Sequence, residues 1–172
     1  MTENYQVNWS KTSIAITFVV FAIVIAIIVG LLIDGTTIIS VEYLIIGMVL
    51  ICLLYVASYT PVRIELSNKT LIIHRKLGST SIPIDQISGC DRYYPTFLTK
   101  VFGSGGFCGS LGWYRTNETG LFVSYVTDWG KAVLINIGTR KYMISCNTPD
   151  KLVSDLDRLI FQLTTRTGHS ST

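Results

Sequence analysis

The segment from Val101 to Tyr114 is the most unusual stretch of the chain outside its long apolar runs. Five of the ten residues from Gly103 to Gly112 are glycine, with aromatic and aliphatic residues between them. Glycine-rich loops can bind phosphate through backbone N–H groups. However, Gly103–Cys108 completes neither the GxxxxGK[ST] of a P-loop nor a GxGxxG fingerprint. We therefore expect no nucleotide here. The segment is either a packed structural loop or dimer contact, or a loop that faces the membrane or a partner.

Basic residues provide a second candidate site. Of the 14 Lys and Arg and 11 Asp and Glu, residues 61–172 carry 13 and eight, a net charge of +5 against +3 for the whole chain. Such charges are attracted to anionic lipid by about 1 kcal/mol each near the surface. The alternative is that they only keep this part of the chain in the cytoplasm. Our candidate partner- or lipid-binding residues are Arg63, Lys69, Arg75, Lys76, Arg92, Lys100, Phe107 and Trp113.

Two members of this set, Arg92 and Lys100, bracket an aromatic run that is either a ligand rim or a solvated loop.

The cysteines and histidines do not form a recognisable catalytic or metal motif. Cys52 lies in an apolar run, and Cys90, Cys108 and Cys146 are separated by 18 and 38 positions without a CxxC pair. A Cys–His pair with His74 is the remaining catalytic alternative. We expect a protein that is not an enzyme, with no metal or cofactor. The sequence also contains no signature of an RRM, zinc finger or helix-turn-helix, so we expect no nucleic-acid partner.

The first 60 residues have the composition of membrane helices. They contain 40 of the 84 apolar residues and only four charges, which explains the mean hydropathy of +0.46. Residues 12–33 are uncharged and span roughly 33 Å as a helix, which is enough to cross a bilayer. The apolar core is too long for a cleaved signal peptide. A second uncharged run, residues 43–62, ends near Pro61. Neither run contains an ionisable residue, so we expect an anchor rather than a transporter.

Charge asymmetry predicts the orientation of this helical hairpin. The connecting loop contains Asp34 and Glu42 but no Lys or Arg, whereas basic residues flank the outer ends of both runs. The positive-inside rule then places both termini in the cytoplasm. The predicted division is a cytoplasmic N-terminus 1–11, transmembrane helices 12–33 and 43–60, an extracytoplasmic loop 34–42, a cytoplasmic domain 61–163 and a flexible tail 164–172.

The cytoplasmic part shows the short alternating runs of a mainly-β domain. Apolar and polar residues alternate from Val62 to Leu66, which is typical of a half-buried strand. Asn68 fits a tight turn before the return strand. The remaining predicted strands are 71–75, a longer or broken strand 81–94 interrupted at Pro83 and Gly89, and then 121–127, 132–137 and 141–146. We expect Asp128–Gly130 and Gly138–Arg140 to join the last three as hairpins.

A C-terminal amphipathic helix follows these strands. Thr148 is suited to the N-cap and Pro149 to the first helical position. An apolar stripe then repeats at helical spacing from Leu152 to Leu163. Six or seven antiparallel strands closed by one helix is the order of elements in a pleckstrin-homology (PH)-like barrel.

Four segments carry a resemblance to the bacterial PH-domain membrane proteins, in which a two-span hairpin precedes a PH-like domain. They are Val101–Phe107, Gly109–Trp113, Tyr125–Asp128 and Lys141–Cys146. The resemblance implies a PH-like fold and a membrane setting, which we expect to be the bacterial inner membrane, but it carries over no catalytic residue. We expect a membrane-anchored binding or scaffolding module that recognises a protein partner or the anionic membrane surface. Recognition would use a strand edge, the groove beside the helix or the glycine-rich loop. The alternatives are a homo-oligomeric structural component and, third, an enzyme with a Cys/His site.

Overall fold

The computed structural model describes residues 2–34, 39–94 and 97–168. Within these ranges the chain forms three α-helices and ten strands. The helices are α1 (Lys11–Asp34), α2 (Ile39–Ser58) and α3 (Pro149–Gly168). The strands are β1 (Glu3–Gln6), β2 (Pro61–Leu66), β3 (Thr70–Arg75), β4 (Ser79–Pro83), β5 (Ile87–Arg92), β6 (Thr99–Gly106), β7 (Gly109–Thr116), β8 (Gly120–Val126), β9 (Ala132–Ile137) and β10 (Arg140–Ser145).

Helix α1 is apolar around its whole circumference and is long enough to cross a membrane over Lys11–Gly30. Its side chains are largely exposed, with Phe18 at 73% and Val19 at 57%. Its length, composition and exposure are those of a helix that could cross a membrane. Among the described residues it is the only helix that meets this criterion.

The second predicted span does not meet the length and hydropathy criterion that α1 meets. Its helix ends at Ser58 rather than at residue 60, and its described apolar part, Tyr43–Ser58, is shorter than a typical span. The two helices nevertheless lie side by side, because one apolar groove is lined by residues of both: Val24, Ile27, Ile28, Ile45, Ile46 and Val49. Part of the predicted 34–42 loop lies outside the described residues.

The first sheet has four antiparallel strands in the order β1-β2-β3-β4. The alternation predicted for β2 and β3 is confirmed, since Ile64, Leu71 and Ile73 are fully buried. Strand β1 was not predicted: it pairs along β2 with Tyr5 opposite Ile64. The N-terminal segment 1–11, predicted as separate from the domain 61–163, therefore contributes an edge strand to that domain.

The second sheet has six strands in the order β5-β9-β10-β8-β7-β6. The predicted break at Pro83 is confirmed, because a 3₁₀ turn at Ile84–Gln86 separates β4 from β5 and moves the chain between the sheets. The predicted β9–β10 hairpin is also confirmed. The predicted hairpin at Asp128–Gly130 is wrong, because β10 lies between β8 and β9 and pairs with β8 in parallel. In place of the expected six or seven antiparallel strands, the described residues form sheets of four and six strands with one parallel pair.

The strands β9 and β10, at the centre of the six-stranded sheet, are buried on both faces over most of their length. Val133, Ile135 and Ile144 face a core shared with the first sheet, whereas Leu134 and Met143 face a second, smaller core. Since successive side chains of a strand point to opposite faces, a strand covered on both sides is apolar throughout. This accounts for the uninterrupted apolar start of β9.

Helix α3 closes the larger core as its apolar stripe predicts. Leu152 and Leu156 are fully buried against that core, and Val153, Leu159, Ile160 and Leu163 pack beside them. Full burial of one such side chain contributes roughly 1.5–3 kcal/mol. The Leu152 N–H donates to the Thr148 carbonyl at 3.1 Å, which gives Thr148 the expected N-cap position. The helix continues to Gly168, beyond the predicted end at residue 163.

Candidate membrane-facing site

The glycine-rich segment is a β-hairpin rather than the loop expected from its composition. Strands β6 and β7 pair in antiparallel fashion, and Gly103 lies directly opposite Gly112. Both have a φ near +120°, at 128° and 119°. A Cβ on Gly103 would overlap the Leu111 carbonyl oxygen, and one on Gly112 would overlap that of Phe102. Glycine is therefore required at this pair because two backbones approach each other in a conformation that L side chains avoid.

The tip of this hairpin contacts the membrane-type helix. Gly106 lies against Ile16, and a Cβ on Gly106 would come within 2.7 Å of the Ile16 Cδ1. The Cys108 N–H donates to the Thr17 hydroxyl at 3.1 Å. The Phe107 ring contacts Phe21 with ring centroids 5.9 Å apart. The expectation of a packed contact is therefore met by α1 of the same chain.

Hydrogen bonds also join the start of α1 to Thr127, the residue directly after strand β8. The Ser10 N–H and the Ser13 hydroxyl both donate to the Thr127 carbonyl, at 3.2 and 3.1 Å. The Thr127 hydroxyl donates in turn to the Asn8 carbonyl at 2.9 Å. Since Ser13 and Thr127 are buried, these bonds are shielded from water. The β domain is therefore fixed to the helix rather than tethered by a free linker.

The end of α2 lies against the turn between β3 and β4. The Leu77 N–H donates to the Ser58 carbonyl, and the Lys76 N–H donates to the Thr60 carbonyl, both at 3.2 Å. These bonds satisfy carbonyl groups at the end of the helix that have no helical partner. Leu77 is 73% exposed. The turn therefore presents a lysine and an exposed leucine beside the helix end.

Arg75 and Lys76 are the two predicted basic residues that the fold brings to this helix end. The Arg75 guanidinium lies 5.1 Å from the Tyr59 ring centroid and 5.7 Å from that of Tyr125. The Lys76 ammonium lies 5.9 Å from the Trp9 ring centroid. Cation–π contacts of this kind hold the cation without neutralising its charge.

The other predicted basic residues lie elsewhere. Lys69 is exposed in the β2–β3 turn, one strand length from the helix ends. Arg63 pairs with Glu65 at 3.7 Å. Arg92 pairs with Asp150 at 3.6 Å and donates to the Gly130 carbonyl at 3.0 Å.

Lys100 is exposed on β6, where its side chain passes beside Gly105. Arg92 also donates to the hydroxyl of Tyr94, within the aromatic run, at 2.6 Å, so Arg92 and Lys100 have different neighbours.

An exposed apolar patch on the second sheet was only partly anticipated. Trp113, a predicted contact residue, is 45% exposed, and the structure adds Phe102 opposite it and Leu121 on the adjacent strand, at 76% and 51%. Arg115, which is exposed, follows Trp113 by two residues on the same face. We name Phe102, Trp113 and Leu121 the β6–β8 patch. Its signal in the sequence was hidden, because residues 99–116 did not alternate recognisably.

Within the described ranges, His74 and the cysteine side chains have separate partners and form no catalytic pair. The His74 Nε2 contacts Glu65 at 2.8 Å, whereas the Cys90 thiol donates to Asp157 at 3.2 Å. Burial, followed by the hydrogen bond to Asp157, raises the pKa of Cys90 to about 12, and burial raises the pKa of Cys146 to about 11. A thiol with a raised pKa is a poor nucleophile at neutral pH.

The described ranges also bring no three His, Cys, Asp or Glu side chains together in a way that could hold a metal ion.

Two sheets with a C-terminal helix, joined to an apolar N-terminal helix, define a PH-like domain with a membrane-type helix attached. The chain belongs to the bacterial PH domain family, whose model matches residues 62–160. PH domains are in general binding modules without catalytic activity. No curated protein and no solved structure matches the chain. The matched range excludes β1, α1 and α2.

Proposed function

We propose that this protein is a membrane-anchored, non-enzymatic binding module that engages the anionic surface of the bacterial inner membrane. The observation that best supports this proposal is the junction between α1 and the β domain, where Ser13, Thr17 and Phe21 all contact the domain. A domain held in this way has a fixed end toward the membrane. Anchoring also raises the local concentration of any ligand on that surface, so a weak affinity suffices.

The proposal includes α2 as a second span. The start of α1 and the end of α2 both contact the same domain, at Thr127 and at the β3–β4 turn. Because the helices lie side by side, a chain that leaves the domain through α1 returns to it through α2. Tyr43–Ser58 covers about 24 Å, and a bilayer accommodates a short span by local thinning.

The orientation follows from the charges at the domain-proximal helix ends. Lys11 begins α1, and Arg75 and Lys76 lie beside the end of α2. The positive-inside rule favours the cytoplasm for this side and thus for the PH-like domain.

Thiol labelling of intact cells tests the topology. In a full-length Cys52→Ala background, a membrane-impermeant maleimide should label Thr36→Cys, in the predicted extracytoplasmic loop. The matched variant Asn68→Cys, in the exposed β2–β3 turn, should be labelled only after the cells are permeabilised. Labelling of Asn68→Cys in intact cells, or release of the wild type by alkaline carbonate, would contradict the proposal.

The β6–β8 patch favours a second candidate function, assembly with another protein or with further copies of this chain. Three large apolar side chains on one sheet face are at least 45% exposed, and contiguous exposed apolar surface is typical of interaction sites. In this case Trp113→Ala should lower the fraction of dimers or larger species measured by mass photometry in detergent. A monomeric wild type at working concentration would exclude self-association.

A further inference from the structure

A shallow apolar groove lies along the first turns of α1, beside the contact with the hairpin tip. Ile14, Thr17, Phe18 and Phe21 follow one another at i, i+3, i+4 and i+7 and so share one face of the helix. Trp9 forms the wall at the start of the helix. The groove is open to solvent on one side and presents only apolar surface.

The one polar side chain in this groove already has its hydrogen bonds. The Thr17 hydroxyl donates to the Ser13 carbonyl at 2.7 Å and accepts from the Cys108 N–H at 3.1 Å. A ligand in the groove therefore needs no hydrogen-bonding group there. A hydrocarbon chain meets this requirement, whereas a polar peptide segment would leave its backbone groups without partners.

A cation lies at the Trp9 end of the groove. The Lys76 ammonium is 5.9 Å from the Trp9 ring centroid, and Lys11 at the start of α1 is also exposed. Among the described residues, neither lysine has a carboxylate within ion-pair distance. An apolar groove with an unneutralised cation at one end is complementary to an amphiphile with an anionic head.

We propose that this groove binds one anionic phospholipid, with an acyl chain along Ile14, Phe18 and Phe21 and the headgroup phosphate at Lys76. The site rests on the proposed membrane anchoring, since α1 must lie in the bilayer for a lipid to reach it. The Trp9 ring lies between the two parts of the lipid, which is the position that tryptophan prefers at membrane interfaces.

Native mass spectrometry of the full-length protein, released from membranes of equal phosphatidylglycerol and phosphatidylcholine, tests the site. The wild type should retain one phosphatidylglycerol in preference to phosphatidylcholine. Lys76→Gln should lower this preference about fivefold, the effect of one lysine at an anionic surface, and Lys76→Arg should preserve it. The control Lys69→Gln removes an exposed lysine from the far turn and should behave as the wild type.

A second variant tests the groove itself. Ile14→Trp adds bulk at a position that is 41% exposed, so it should fill the groove without disturbing the fold and should remove both lipids. An unchanged preference for phosphatidylglycerol in Lys76→Gln, or unchanged lipid retention in Ile14→Trp, would overturn the proposal. So would a wild type that carries a second copy of the chain and no lipid. Carbonate extraction separates the two claims, because a protein that stays in the membrane but retains no lipid contradicts only the lipid site.

Discussion

At the scale of single residues, the paired glycines of the β6–β7 hairpin explain how this segment reaches α1. Gly103 and Gly112 face each other with positive φ, so the two strands approach more closely than residues with side chains allow. Gly106 then leaves room for Ile16 at the tip. The composition that suggested a phosphate loop is therefore explained by backbone contact between the two strands and by packing on a helix.

Gly112→Ala should destabilise the protein by roughly 1–3 kcal/mol through backbone strain alone. The total loss should be larger, because the added Cβ would overlap the Phe102 carbonyl. Thermal unfolding of the full-length protein in detergent measures the loss as a lower Tm. The control is Gly89→Ala, because a Cβ there meets nothing within 4 Å. Equal Tm values for the two variants would show that the close strand contact is absent.

The buried Cys90 thiol should make the free energy of unfolding fall at alkaline pH. Its pKa rises from 9.0 in the unfolded chain to about 12 in the folded protein, first because the thiol is buried. A raised folded-state pKa gives stability that is present below pH 9 and is lost as the pH rises toward 12, by up to about 1.4 kcal/mol per pH unit.

Cys90→Ser keeps a donor for Asp157 but does not titrate in this range, so its Tm should fall less steeply between pH 9 and 11. Cys52→Ser, in the exposed face of α2, should follow the wild type. Parallel Tm–pH curves for the wild type and Cys90→Ser would contradict the burial of this thiol.

At the scale of elements, the strands that the sequence predicts well are those with regular alternation and clear turn residues. Strands β2 and β3 were placed within one residue, and β9 was placed at its observed ends. Alternation reports which face of a strand is buried, a local property. It does not report which strands are neighbours, so the parallel β8–β10 pair and the separation of β8 from β9 were missed.

Two elements were missed because their composition contradicts strand preference. Glycine is depleted in strands, so β6 and β7 were taken for a loop. Strand β1 is a short polar edge strand in which only Tyr5 is buried. Of the candidate site, the sequence therefore indicated Arg75, Lys76 and Phe107 but not the contact between the hairpin tip and α1.

Strand β1 is fixed to α3 by a buried hydrogen bond. The Tyr5 hydroxyl donates to Asp155 at 2.6 Å, and both residues are buried. Tyr5→Phe should lower the free energy of unfolding by about 1.5–3 kcal/mol, because a bond to a charged group is lost. The loss should appear as a lower Tm and as faster amide exchange along β1 and β2. Unchanged exchange in β1 would show that this strand is held by its backbone pairing alone.

At the scale of the whole molecule, the helices and the β domain form one mechanical unit. The Ser13 hydroxyl donates to Thr127, which follows β8. Thr17 accepts from Cys108, and Phe21 contacts Phe107, so both residues join α1 to the β6–β7 turn. In the membrane arrangement that we propose, such a unit would keep one end of the domain at a constant height and orientation above the bilayer. A binding surface near that end would then meet lipid directly, and the β6–β8 patch would face a proposed protein partner in a fixed direction.

Crosslinking in native membranes tests this arrangement most directly. In full-length protein with Cys52→Ala, the pair Phe21→Cys and Phe107→Cys should react efficiently with a short thiol–thiol crosslinker, because the native rings are 5.9 Å apart. The control pair Val19→Cys and Phe107→Cys places the first thiol on the opposite face of α1 and should react poorly. Equal yields for the two pairs, or no product from the first, would contradict a PH-like domain docked on its membrane helix.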